Sequence, residues 1–364
     1  MKNFSIWALI VLLVSVSFSR LRASDEIIVR PHAARQFAVL PDGVRFPEGI
    51  AANPNTEEIY VGTFDFGPNS NKLLRFNKDG HLVAARDFGG TPLLGLRFNY
   101  RDKKIYIANV GALVGGASKI QRIAADFNDT TSIEDVALIP SMGPPPDRLV
   151  GNPDASEDRI RFGNNAPAPN ALIFDHYGNM YISDSFQGAI FRIDNAAKCP
   201  TPCDVANVAH DGLLATAGFP PFGANGLALS SNGSQLFIAN TGDDRILRLD
   251  LKTKEISVLA ESIDGADGVA LYKGKFIVVA ANQGDQVLLL NENGRVIAKL
   301  GNFLGIRHDG SVRGLLFPAS LAIVDDKILV TNLALPLTMT TGDEPEEDVT
   351  RYTISEIEIP KHLH

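Results

Sequence analysis

The sequence has little of what several familiar protein classes require. Only two cysteines, one tryptophan and four methionines occur in 364 residues, which excludes a disulfide-dense scaffold and any cluster of several thiolates around a soft metal. There is no basic run and the formal charge is −8. Nucleic-acid phosphates demand clustered Lys and Arg, so no nucleic-acid partner is expected. Beyond the N-terminus no apolar stretch approaches the ~20 residues that span a bilayer, and no sustained 3.6-residue period marks a long helix. The motif G-x-S-x-G is also missing, and with it the usual signature of a serine esterase.

What is present begins with an export signal. Lys2 precedes an apolar run from Ile6 to Val16, and Leu21-Arg22-Ala23 offers a small residue for cleavage. Charge, short apolar stretch and small residue in that order describe a secretory leader. Residues 1–23 are therefore expected to be removed, leaving 24–364 as a single domain, secreted or periplasmic, with no membrane attachment. In an exported chain Cys199 and Cys203, in KCPTPCD, read as a local disulfide that staples a loop.

From residue 46 onward, short β-type runs alternate with Gly, Asn and Asp turns, and one unit recurs. FPEGIAANPNTEEIYVGTF, PLLGLRFNYRDKKIYIANV, PNALIFDHYGNMYISDS, ANGLALSSNGSQLFIANT, ADGVALYKGKFIVVAAN and PASLAIVDDKILVTNLA each hold a strand, a polar turn and a second strand. Third strands such as KLLRFN, AIFRID and RILRLD follow, then fourth strands such as EISVLAES. Six units of four strands predict an all-β, six-bladed β-propeller. The equivalent positions 48, 94, 170, 225, 267 and 319 place the largest insertion, 140–169, after the second blade. Only YTISEIEIP remains after the sixth pair, a third strand without a fourth. RQFAVL near the N-terminus resembles a fourth strand, so the N-terminal strand is expected to complete the last blade and remove the open edge.

Connectivity then sorts the two faces. With strands A to D running outward from the axis, the A–B and C–D turns share one face and are mostly minimal (HYGN, SSNG, NKDG, NENG). The long segments 140–169, 301–318 and 333–349 fall on the other, where a rigid scaffold would present functional loops. Pro144, Pro145 and Pro146 suggest a stiff rim or lid there. His81 and His176 sit in turns on the far face, and His362 and His364 lie in the tail. Only His308 is placed to reach a site on the long-loop face.

Each A strand begins beside the axis on that face. Its first axial position is Glu48, Leu94, Asn170, Asn225, Asp267 and Ala319 in turn. Asn-Gly and Asp-Gly also suit turns, but Leu94 and Ala319 show that this phase does not demand polarity. Two carboxylates and two amide oxygens suit a hard cation such as calcium, or another divalent cation, with places left for water and substrate. The absence of Cys and His from the set disfavours zinc. Asn109, Asp184, Asn240 and Asn332 end their B strands and are open to two roles, a further ring around the site or caps of the B–C turns.

PEGIA, PNALIF, ANGLAL and ADGVAL resemble the metal-binding strands of the gluconolactonase and regucalcin (senescence marker protein) family. The pattern is similar also to diisopropyl fluorophosphatase and, more distantly, the paraoxonases. The resemblance spans about residues 36–360. It implies a divalent cation, usually calcium, at one end of the propeller tunnel, with Glu48, Asn170, Asn225 and Asp267 as ligands and Asp267 as general base or nucleophile. Paraoxonases carry a catalytic histidine at the second-blade position, where this chain has Leu94, so a histidine dyad is not expected.

The expected function is calcium-dependent hydrolysis of a small-molecule lactone or related ester. The cation would act as Lewis acid and Asp267 as base. The alternative is an exported propeller that binds a ligand or protein around a structural calcium. A phosphotriesterase is less expected, and the four oxygens favour a metal hydrolase over an enzyme like strictosidine synthase, which performs condensation without a metal on the same scaffold.

Overall fold

The computed structural model describes residues 28–30, 34–338 and 341–361. The leader read at 1–23, and His362 and His364, lie outside them. Six blades account for the six repeats, each with four antiparallel strands in the order A-B-C-D from the axis. The A strands are Pro47–Asn53, Leu93–Asn99, Pro169–Phe174, Ala224–Leu229, Ala266–Tyr272 and Pro318–Val324. The B strands that follow them are Glu58–Thr63, Lys104–Val110, Met180–Asp184, Gln235–Asn240, Phe276–Ala281 and Lys327–Asn332.

Burial explains why these runs are strands. Met180–Asp184 and Phe276–Ala281 are buried at every position, as expected of β-branched and aromatic runs covered on both faces by neighbouring sheets. The core lies between blades. Tyr106, Ile120 and Val136 of blade 2 pack against Met180, Ile182 and Phe191 of blade 3, and similar layers fill the other junctions.

Ring closure follows the expected route. Ala34–Val39 pairs antiparallel with Thr353–Glu358 and becomes the outer strand of blade 6. Beyond the expectation, Ile28–Arg30 runs parallel to Val296–Leu300 as a fifth strand on blade 5. Cys199 and Cys203 form a disulfide, Sγ–Sγ 1.97 Å. It lies in the C–D link of blade 3, where the Cys203 amide donates to the Val136 carbonyl of blade 2.

All six A strands carry the same irregularity. Their register against the B strand shifts after the first residue, leaving two residues out of phase: Glu48-Gly49, Leu94-Gly95, Asn170-Ala171, Asn225-Gly226, Asp267-Gly268 and Ala319-Ser320. A β-bulge re-aims a side chain, and here it turns the first residue of each pair toward the axis. The second residue meets the next blade. A β-carbon at Gly49 would stand 2.1 Å from the Leu94 carbonyl oxygen, and one at Gly226 2.2 Å from that of Asp267. Gly95 and Gly268 make the same approach to Asn170 and Ala319.

Blades 3 and 6 have Ala171 and Ser320 instead of glycine, and there a hydroxyl makes the junction. Ser183 Oγ donates to the Asn225 carbonyl at 2.6 Å, and Thr331 Oγ1 to the Glu48 carbonyl at 2.7 Å. The same hydroxyls accept from the amides of Ala171 and Ser320. At this B-strand position the other four blades have Gly62, Ala108, Ala239 and Ala280.

Two substitutions test this interlock by urea unfolding. Gly49→Ala forces a methyl into a backbone oxygen and is expected to cost about 3 kcal/mol or more, whereas Gly90→Ala, with nothing within 4 Å, stays within ~0.5 kcal/mol. Thr331→Val leaves a buried carbonyl and amide without their partner and is expected to cost about 1–3 kcal/mol.

Candidate functional site

The bulges bring Glu48, Asn170, Asn225 and Asp267 to the floor of one cavity of about 380 Å³ on the long-loop face. All four are buried. Leu94 joins them there, and Ala319, at the sixth position, is fully buried beside Phe317 and Leu333. Below the floor the axis narrows to a space of about 40 Å³ among Gly95, Ala171, Gly226, Gly268 and Ser320. It widens again toward the far face, where Ala51, Ile173, Ala228, Ala270 and Ala322 line a channel whose one charged side chain is Arg97. Arg97 is accessible to the channel's water, yet the surrounding walls hold its guanidinium below its ordinary value.

Hydroxyls behind the amides decide which atoms face the cavity. Ser185 Oγ donates to the Ala224 carbonyl and so can only accept from Asn170, whose Nδ2 stands 3.0 Å away. Thr241 Oγ1 donates to the Ala266 carbonyl and accepts from Asn225 Nδ2 at 3.0 Å. With each nitrogen tied back, the amide oxygens are left for the cavity. In blade 5 the equivalent residue is Asn282, whose Nδ2 donates to Asp267 Oδ2 at 3.0 Å. Asp267 Oδ1 and Glu48 Oε2 are buried without a hydrogen-bond partner.

These carboxyls are far from their usual state. Burial, with the Asp267 charge beside it, pushes the Glu48 carboxyl well above its ordinary range. Burial also raises Asp267, to about 7, against hydrogen bonds from Asn282 and Asn225 that pull it down. Two buried carboxyls with free oxygens, flanked by amide oxygens, form a donor set that fits a hard divalent cation. Among the described residues no group of three or more His, Cys, Asp and Glu side chains converges, so a cation here depends on the amides as well as the carboxylates.

The remaining candidates lie elsewhere. Asp184 accepts from the amides of Ala168, Phe186 and Gln187. Asn240 donates to the carbonyls of Leu213 and Ala215. Asn332 accepts from the Leu316 amide and donates to Thr353 and Ser355, and Asn109 donates to Gln121 and accepts from the Gly111 amide. All four cap loops and none lines the cavity. The residue after each B-strand end is the one that turns inward, as Ser185, Thr241 and Asn282 do. That repeat position is visible in the sequence. His308 is exposed in the hairpin between Phe303–Ile306 and Val312–Gly314 and does not line the cavity.

The expected rim also differs. Segment 140–169 forms an exposed hairpin, Arg148–Gly151 with Glu157–Ile160, and contributes nothing to the cavity lining. The wall is built instead from Phe64, Phe66, Phe186, the run Phe219-Pro220-Pro221-Phe222, Phe317 and, from one loop, Leu333, Leu335, Pro336 and Leu337.

At the sequence level no family model and no curated protein matches the chain. Among solved structures it is similar to the calcium-binding protein regucalcin from Agrobacterium tumefaciens, with 14% identity, a TM-score of 0.59 and coverage of 92% of this chain and 98% of that one. It is similar to luciferin-regenerating enzyme, with 12% identity, a TM-score of 0.58 and coverage of 87% and 92%. It is also similar to a gluconolactonase from Xanthomonas campestris, with 12% identity, a TM-score of 0.51 and coverage of 88% of each chain. At these identities the likeness establishes a shared propeller fold.

The raised carboxyl sets a pH dependence for the cation-free protein. The unfolded chain releases the Asp267 proton near the ordinary aspartate value of 3.8, whereas the folded chain holds it to about 7. Between those values the native state binds more protons, so its stability falls as pH rises. With chelator present, Asp267→Asn is expected to be more stable than wild type at pH 8 by at least ~1 kcal/mol, with the gap closing by pH 4. Thermal melts at the two pH values measure it.

Proposed function

We propose that this chain is an exported hydrolase that depends on a divalent cation, calcium by the hardness of its donors, and opens a lactone or related ester. The observation that carries the reading is the pair of buried carboxyls, each with an unpartnered oxygen, on the floor of an otherwise apolar cavity. The family resemblance of the four A-strand motifs and the shared fold of a gluconolactonase support it. The disulfide and the leader-like N-terminus support export.

Glu48, Asn170, Asn225 and Asp267 would hold the cation, with places left for substrate and water. A bound cation supplies Lewis-acid polarisation of the ester carbonyl oxygen. Asp267 acts as the base. Its Oδ2 is fixed by Asn282, which leaves Oδ1 to take the proton of the attacking water. Glu48 is a ligand whose charge, with that of Asp267, matches a divalent ion. The apolar wall keeps bulk water from the reacting atoms and so strengthens each electrostatic contact on the floor.

The test is turnover of a panel of lactones, aryl esters and a phosphotriester, with and without EDTA, alongside calcium titration calorimetry. Lactone hydrolysis is expected to vanish with chelator and return with calcium. Asp267→Asn is expected to lose ~10²–10⁴-fold in kcat, and Glu48→Gln to lose calcium affinity. Calcium binding without turnover of any substrate would make the chain a binding propeller, and no calcium binding would overturn the site altogether.

A further inference from the structure

The cavity above the floor has a one-sided chemistry. Its polar side chains are Glu48, Asn170, Asn225, Thr241, Asp267 and Asn282, all at the bottom, and every other lining residue is Phe, Leu or Pro. Among the described residues nothing on the wall carries a charge, a side-chain amide or a hydroxyl.

The wall is also held in place. Phe66 packs edge-on against Phe64 at 4.8 Å, as does Phe64 against Phe222 at 6.2 Å, and Phe222 lies tilted against Phe186 at 5.2 Å, forming a continuous aromatic side. Asp65, between the first two rings, is buried and takes both nitrogens of an Arg45 fork at 2.8 and 2.9 Å. Phe317 sits at a φ of 45°, a conformation a bulky residue adopts only when its surroundings enforce it. Its amide donates to Asp285 at 2.8 Å. At the mouth, Phe66 and Phe219 remain 53% and 61% exposed. Apolar surface kept open to water on a fixed frame is surface awaiting an apolar partner.

We propose that the site takes a lactone or ester bearing an extended apolar substituent, alkyl or aryl, and that polyhydroxylated sugar lactones are poor substrates. The inference rests on the hydrolase reading above. The reacting carbonyl lies at the oxygen-lined floor, and the substituent runs up between the aromatic side and the Leu333–Leu337 side. A sugar lactone in the same pose buries hydroxyls against rings that offer them no partner, and each such hydroxyl costs roughly tenfold in binding. A buried methylene gains instead, by ~4-fold each until the cavity is full.

The experiment measures kcat/KM on the calcium-loaded enzyme for δ-lactones with unbranched side chains of one to seven carbons, with D-glucono-δ-lactone beside them. In parallel, calorimetry measures binding of the same compounds to the Asp267→Asn protein, a readout that needs no turnover. Both quantities are expected to rise by ~2- to 4-fold per methylene, with the sugar lactone at least ~100-fold below the best alkyl lactone. Phe66→Ser and Phe219→Ser, both at the exposed mouth where the fold tolerates a polar side chain, are expected to flatten that slope. A flat slope, or preference for the sugar lactone, overturns the inference even if lactones are hydrolysed. A rising binding series without hydrolysis upholds the apolar ligand class while refuting the hydrolase.

Discussion

The structure depends on how closely the six innermost strands approach at the axis. A single out-of-register residue pair at the start of each A strand does two things there. Its first residue is turned toward the axis. Its second must be small enough, or be assisted by a hydroxyl, for the next blade's carbonyl to fit. Gly49, Gly95, Gly226 and Gly268 meet the requirement by lacking a β-carbon. Blades 3 and 6 meet it with Ser183 and Thr331. The contact from Thr331 to Glu48 spans 283 positions and joins the last blade to the first at the site itself. Packing and placement of the candidate ligands are therefore one constraint, because the backbone that closes the ring is the backbone that carries Glu48, Asn170, Asn225 and Asp267.

The same closeness has an electrostatic consequence. Two carboxyls drawn into a space without a positive group cannot both ionise cheaply, and both are displaced upward. Arg97 lines the neck and the far channel below the floor and is absent from the cavity lining itself. The floor is thus short of positive charge. The hydroxyls of Ser185 and Thr241 accept from the Asn170 and Asn225 nitrogens, and the donors that reach Asp267 are the neutral amides of Asn282 and Asn225, which add no positive charge. Sites with this imbalance are where binding and catalysis concentrate, since a ligand supplies what folding left out. Above the floor the chemistry is inverted, with rings and prolines replacing oxygens, so one cavity separates an oxygen-lined end from a hydrophobic end.

The repeat was legible because each blade restates it. Period-two runs, turn residues and a recurring phase locate six equivalent positions without any knowledge of contacts, and the missing fourth strand of blade 6 points to the N-terminal segment. The B-strand ends show where that legibility stops. Asn109, Asp184, Asn240 and Asn332 recur at one phase and are polar, yet they cap loops. Along a strand successive side chains face opposite ways, so a shift of one residue separates a loop cap from a group behind the site. Ser185, Thr241 and Asn282 occupy that next position. His308 and the triple proline follow no repeat, and loop chemistry alone gave no direction in which they point.

By itself the sequence determined the blade count, the closing strand and the phase at which oxygens could converge, because these follow from periodicity, which is local and repeated. Tertiary structure alone decided the rest. Which loops form the wall depends on how links of different length fold back across the top of the ring, and the long 140–169 insertion leans away while Phe64, Phe222 and Leu335 lean in. Which atoms of Asn170 and Asn225 face the cavity depends on hydroxyls from an adjacent strand. The displaced carboxyls arise only when residues more than two hundred positions apart in the chain share one small volume, and no local pattern encodes that meeting.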